Sequence, residues 1–242
     1  MILFMQELIS SGLSRLELSG SVPADGAEKL AQYGAMLIEQ NKVMNLTAIT
    51  EPKDVATLYM LDCAPLLDCG RMQGKTLIDV GTGAGFPGMV LKILCPTLTV
   101  TLLDSLQKRL DWLDTVADRL QIGGMTTVHG RAEEYGLAPA YREQYDFATA
   151  RAVADLRLLC EMCLPFVKVG GRFLAMKSVD SGEELEQSGA AIEKLGGRLA
   201  GFHDYVIPHT DITHRVVVID KVAPTPAGYP RRWAKIQKSP IR

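Results

Sequence analysis

Apolar residues recur at near-helical spacing through the first seventy residues, then give way to short apolar runs separated by helix-like stretches. Across 27–40, Leu30, Ala31, Met36 and Leu37 share one helical face, and across 54–67, Val55, Leu58, Leu61 and Leu66 do the same. The stretch VPADG at 22–26 interrupts the pattern before the first of these, and Thr50-Glu51-Pro52 opens the second. From Lys75 onward, strand-like runs at 76–80, 98–103, 126–129, 145–149 and 172–176 alternate with helical segments. Parallel neighbours require a crossover of that length, so the alternation predicts a parallel sheet with helices on both faces. After a helix-like stretch at 183–195, segments 202–207 and 215–220 stand too close for another crossover and predict an antiparallel hairpin at the sheet edge. The expected fold class is α/β. Its expected units are a helical extension (1–70) packed on the core, a core (71–221) and a basic C-terminal segment (222–242).

Composition narrows the setting. A chain of 242 residues with 47% apolar content can bury one α/β core plus an extension. The longest stretch free of charged residues, 80–91, falls short of the ~18–20 apolar residues that span a bilayer. The first seven residues have no positive region before their apolar side chains, so neither a membrane span nor a signal peptide is expected, and a cytoplasmic location is. Five cysteines are an odd count that fits reduced thiols, and Cys160-Glu161-Met162-Cys163 lacks the second pair or the histidine that would complete a zinc site. His209, Asp211 and His214 read as polar residues of a turn between strands. No metal is expected. The net charge of −2 hides an asymmetry: Lys221, Arg231, Arg232, Lys235, Lys238 and Arg242 are basic, and no acidic residue follows Lys221. Interleaved with Tyr229 and Trp233, such a segment suits an RNA backbone with a base stacked on a ring; a solvated tail is the alternative.

Candidate chemistry begins at residues 79–88, DVGTGAGFPG, between apolar Leu77-Ile78 and a helix-like stretch. Gly81, Gly83 and Gly85 let the backbone bend sharply and approach a ligand, and Pro87 suits the first turn of the next helix. Gly83 to Gly88 also satisfies the dinucleotide pattern GxGxxG, which is weak alone. Asp79 separates the two cofactor classes. A carboxylate at contact distance from a pyrophosphate costs ~1–4 kcal/mol, whereas it favours the ammonium and sulfonium of S-adenosyl-L-methionine. Asp104 ends the strand at 98–103, about 20 residues past the glycines, where an acidic side chain accepts from ribose hydroxyls. Asp is also a favoured N-cap, and both roles can coexist. Ligands of such sheets bind at the C-terminal strand ends, which selects Asp79, Asp104, the turn His129-Gly130-Arg131-Ala132-Glu133 and Arg151. Phe86 beside the glycines either stacks on adenine or packs beneath the loop.

A parallel five-strand sheet finished by a hairpin resembles the Rossmann-like S-adenosylmethionine-dependent methyltransferase fold. Several segments resemble one bacterial family in particular, the glucose-inhibited division protein B methyltransferases, also called ribosomal RNA small subunit methyltransferase G. They are NKVMNLT from Asn41, DVGTGAGFPG from Asp79, GRAEE from Gly130, ARAVA from Ala150 and YPRR from Tyr229, in the family's order. The chain departs from the family at Tyr59 (usually histidine), at Asp62-Cys63 (usually Asp-Ser), and at Ala234 and Ile236 (usually Gly and Pro). The resemblance implies methylation of guanine N7 at one position of 16S ribosomal RNA. It also implies 16S RNA or the 30S subunit as partner, with no DNA or membrane, and a monomer is expected.

By that resemblance Arg151 is the active-site arginine and also borders the cofactor. The cofactor side comprises Asp79, Gly81, Gly83, Gly85, Phe86, Asp104, Ala132 and Glu133, and the RNA side Asn45, Lys177, Tyr229, Arg231, Arg232, Lys235 and Lys238. Guanine N7 has a free lone pair, so no general base is needed and the protein's task is alignment. Arg151 cannot grip O6 and N7 together without blocking the attacking nitrogen, so it is expected to hold O6 alone or a phosphate. An arginine merely salt-bridged at a helix start is the alternative, as local roles are for Asn45, Lys177 and Arg131. A dinucleotide-dependent oxidoreductase and a non-catalytic RNA-binding or assembly factor are the competing functions.

Overall fold

The computed structural model describes residues 1–151 and 154–241. Ala152, Val153 and Arg242 lie outside the described residues, and with them the centre of ARAVA, the start of the helix-like run at 153–167 and the last basic residue of the tail. The chain opens with helices α1 (Ile2–Arg15), α2 (Gly26–Met44) and the short α3 (Pro52–Val55). The helix expected at 54–67 is interrupted. It widens into a π-helical turn at Ala56–Leu61 and tightens into a 3₁₀ segment at Ala64–Cys69, where Pro65 has no N–H for an α-helical ladder.

The alternating part follows as β1 (Thr76–Val80), α4 (Gly88–Leu94), β2 (Thr99–Asp104), α5 (Gln107–Leu120), β3 (Met125–His129), α6 (Ala132–Tyr135), β4 (Tyr145–Arg151) and α7 (Leu156–Cys163). Then come β5 (Val167–Ser178), α8 (Gly182–Glu186), α9 (Gly189–Lys194), β6 (Gly197–Val206), β7 (Thr213–Lys221) and α10 (Trp233–Lys238). The one helix expected at 183–195 is two, because Ser188 and Gly189 are poor helix formers and the Ser188 hydroxyl donates to the Glu184 carbonyl at 2.6 Å.

The seven strands lie in the order β3-β2-β1-β4-β5-β7-β6, parallel through β5, with the β6–β7 hairpin antiparallel and β6 at the edge. Alternate residues feed opposite cores, as strand geometry requires. Leu77, Val216 and Val218 pack in one cluster with α1, α2, α4 and α5, while Ile78, Val217 and Ile219 pack in the other with α7 and α9. The N-terminal helices thus share a core with one face of the sheet. Connections run from β1 to β2 in one direction and from β4 to β5 in the other, so a crevice opens at the C-terminal ends of β1 and β4. Asp79 and Arg151 flank it. Among the described residues, no helix is long and apolar enough to cross a membrane.

Candidate active site

The loop after β1 is fastened to β2. Gly81 and Thr82 donate their N–H groups to the Leu103 carbonyl at 2.9 and 3.0 Å, and Gly83 donates to Asp104 Oδ2 at 2.8 Å. The glycines do different work. Gly83 has φ +59°, and a Cβ there would meet only the Gly81 carbonyl, at 3.9 Å, so the space beside it is open. Gly85 faces inward. A Cβ there would strike the Tyr33 hydroxyl and come within 2.7 Å of Leu113, so packing against α2 and α5 requires this position to be glycine.

Asp79 differs from expectation. It lies under the loop, fully buried, with Oδ2 accepting from the Thr82 hydroxyl at 2.6 Å and the Gly88 N–H at 2.9 Å, while Oδ1 has no partner. Any influence on a ligand acts through the loop and not by contact. Burial pushes its carboxyl up to about 6, against the lowering effect of those two hydrogen bonds. Because the folded-state value exceeds the unfolded one, the penalty is absent below about pH 4 and grows as pH rises. Between about pH 4 and 6, the stability of the protein should fall by roughly 2–3 kcal/mol relative to Asp79→Asn, and stay level above. Urea denaturation of both proteins at pH 4.5, 5.5 and 7 measures the difference; parallel curves would show that the carboxyl is not so buried.

Two cavities meet at Gly81, Asp104 and Ser105. The smaller, of about 160 Å³, has Val80, Leu103, Ala132, Met162 and Trp233 as its apolar lining, and Arg131 and Glu133 also line it. The larger, of about 480 Å³, is bounded by Gly83, Phe86, Tyr59, Thr47 and Arg151. Asp104 stands where they join. Its Oδ1 accepts from the Leu106 N–H at 2.9 Å and Arg109 lies 3.5 Å from its Oδ2, so it organises the start of α5 while keeping lone pairs toward the cavities. The N-cap of α5 itself is Leu106, so Asp104 serves the helix start from two residues before the cap. Phe86 stacks between Tyr33 and Tyr59, with centroids 5.4 and 4.6 Å away, and packs under the loop at the cavity edge. Tyr59, known from the sequence only as a departure from the family pattern, is thereby a wall of the site, its hydroxyl paired with Thr47.

Arg151 ends β4, and its guanidinium turns toward the N-terminal helices. In an α-helix the Asp62 N–H would bond the Leu58 carbonyl; in the π-helical turn it reaches Thr57 instead, and the freed Leu58 carbonyl accepts from Arg151 Nη2 at 2.7 Å. Asp62, fully buried, lies 3.3 Å from the same nitrogen, and the guanidinium sits 4.8 Å above the Tyr59 ring. Asp62 Oδ1 in turn accepts from the Tyr205 hydroxyl at 2.9 Å and lies 2.8 Å from His214 Nδ1. Only part of the guanidinium's donor set is taken by these contacts, and the side chain still lines the larger cavity.

The expected RNA side divides. Arg232, Lys235 and Lys238 are exposed on or beside α10, and Asn45 is exposed at the left-handed end of α2. Arg231 is not free: its guanidinium is bound to Glu161 at 2.8 and 2.6 Å and to the Ser239 carbonyl at 3.0 Å. Tyr229 lies beneath it, 5.6 Å from ring centroid to guanidinium. Lys221 is buried, donating to the Leu164 carbonyl and the Thr225 hydroxyl, and burial lowers it to about 8. Lys177 pairs with Glu184 and the Ala154 carbonyl. Cys160 and Cys163 are buried free thiols, raised by burial.

The family model for rRNA small subunit methyltransferase G matches residues 26–212. A ribosomal RNA small subunit methyltransferase G of Alkaliphilus metalliredigens is 45% identical over 227 residues, covering 93% of this chain and 95% of its own. That of Symbiobacterium thermophilum is 46% identical over 241 residues, 97% of each chain. Among solved structures, TrmN of Thermus thermophilus superposes with a TM-score of 0.51 at 19% identity over 66% of this chain and 48% of its own. TYW2 of M. jannaschii, solved with AdoMet, gives 0.52 at 11% identity over 66% and 75%. At such identities these two speak for the fold alone.

Proposed function

The chain belongs to the rRNA small subunit methyltransferase G family, and on that premise we propose that it methylates guanine N7 in 16S ribosomal RNA with S-adenosyl-L-methionine, acting as a monomer on RNA of the 30S subunit. The observation that carries the reading is the pair of cavities joined at Asp104 over the β1–β4 crevice. The apolar one suits a purine ring, Asp104 at the junction suits ribose hydroxyls, and the larger one, beside the open face of Gly83, suits the methionine end and the target base. Asp79 adds a charge argument. Its unpartnered oxygen under the loop makes a cationic ligand above it favourable and a diphosphate unfavourable.

When bound, the cofactor supplies an electrophilic methyl group on a sulfonium. The protein's residues contribute placement. Arg151 offers its remaining donors to guanine O6 or a phosphate, leaving N7 free to attack, and no residue has to take a proton. Asp62 behind the guanidinium offsets its charge, so the purine ring can become cationic beside it. Arg232, Lys235 and Lys238 supply phosphate contacts at the rim. Calorimetry should show binding of S-adenosylhomocysteine and none of NAD; NAD binding alone would favour the oxidoreductase. Mapping 7-methylguanosine in 16S RNA from cells with and without the protein should show one site lost and restored by the wild-type chain. An unchanged map overturns the reading.

A further inference from the structure

The apolar cavity is lined by the ends of β1 and β2, the turn after β3 with the start of α6, Met162 of α7, and Trp233, the first residue of α10. Two arginines fix the segment that leads to this residue. Arg142 donates to the carbonyls of Thr225 at 2.7 Å and Tyr229 at 2.7 Å, and Arg231 grips Glu161 of α7. Downstream, Ile236 is fully buried, so α10 cannot swing away without exposing it. The indole therefore lines the cavity with Val80, Leu103 and Met162 and packs against the cluster they belong to, as a preorganised surface rather than as part of a loose tail.

We infer that Trp233 is a positioning residue for the cofactor, packing its indole on the adenine ring and closing the nucleoside side of the site with the C-terminal segment. The inference rests on the methyltransferase reading and deepens it. A large planar indole against a purine gives contact area with few rotatable bonds to freeze, and base stacking on aromatic side chains is tolerant of geometry. Val80, Leu103, Ala132 and Met162 supply the rest of the apolar lining, while Asp104, Arg131 and Glu133 line the same cavity and offer the polar partners that the edge of a nucleoside needs. The exposed basic residues Arg232, Lys235 and Lys238 flank this indole, and the segment thus serves cofactor and RNA from one short element.

The protein contains two tryptophans, and the other, Trp112, is buried near Tyr33, 5.9 Å between ring centroids. In Trp112→Phe the sole indole is Trp233, and S-adenosylhomocysteine should quench its emission along a saturation curve that matches the calorimetric Kd. Trp233→Ala should bind S-adenosylhomocysteine about tenfold more weakly, and Trp233→Phe should recover to within about threefold of wild type. A purely structural tryptophan would lower the melting temperature of Trp233→Ala without moving ligand affinity or giving that quench. If wild type binds the ligand while the indole is silent and Trp233→Ala binds equally well, this inference falls and the methyltransferase reading stands. If wild type does not bind it at all, both fall. Should Trp233→Ala fail to fold, the emission of Trp112→Phe decides.

Discussion

Arg151→Lys should lower kcat about a hundredfold while changing S-adenosylhomocysteine affinity by less than about fivefold. The lysine keeps a positive charge near Asp62, so the buried carboxylate is not abandoned, but it lacks the further guanidinium nitrogens that remain as donors while Nη2 meets the Leu58 carbonyl and Asp62. A single ammonium must choose between those partners and the RNA. Arg151→Ala is a harsher change with a different signature. It takes the arginine from Oδ2 of the fully buried Asp62, leaving Oδ1 to Tyr205 and His214, and breaking a buried pair from one side costs up to about 3–5 kcal/mol, so activity and stability fall together. Single-turnover methylation of 30S particles measures the lysine variant, and thermal denaturation separates the two. Turnover by Arg151→Lys at the wild-type rate would remove the arginine from the chemistry.

How Arg151 is held could not be read from the sequence. Leu58, Tyr59 and Asp62 come from a segment whose apolar spacing reads as an ordinary helix, and the change of ladder that frees the Leu58 carbonyl leaves no mark in that spacing. Strand positions were legible because burial on two faces requires alternating or continuous apolar residues, and β1 runs over the five residues expected. The glycine loop was legible as a loop, but not the split between Gly83, with open space beside it, and Gly85, closed on Tyr33. That split depends on α2, far away in sequence. Charge counting misled at the C-terminus for the same reason: it counts Lys221 and Arg231 but not their partners. One signal was available. Glu161 stands between Cys160 and Met162 in an apolar helical run, and a carboxylate on a buried face needs a cation. Nothing in the linear pattern returns α10 to the strand ends, so the place of Trp233 in the cavity wall is visible only in the fold.

Arg231→Ala should destabilise the protein by about 3–5 kcal/mol, roughly 10 °C in melting temperature for a chain of this size, and leave the salt dependence of RNA binding unchanged. Glu161 has a side chain 1% exposed, and without the guanidinium it retains, among the described residues, the residue 231 N–H, which donates at 2.8 Å. Removing the carboxylate as well takes the stranded charge away, so Glu161→Ala combined with Arg231→Ala should be more stable than Arg231→Ala alone. Arg232→Ala should do the reverse: its side chain is exposed, so melting is unaffected, while the slope of log K against log salt for RNA binding shrinks by about one contact's worth. The pair of neighbours thereby separates a residue that builds the segment from one that uses it. Because the Arg231–Glu161 clamp also holds Trp233 at the apolar cavity, Arg231→Ala should weaken S-adenosylhomocysteine binding even at temperatures where the fold is intact. A normal melting temperature for Arg231→Ala, with a reduced salt slope, would return that arginine to the RNA face and leave Trp233 without its anchor.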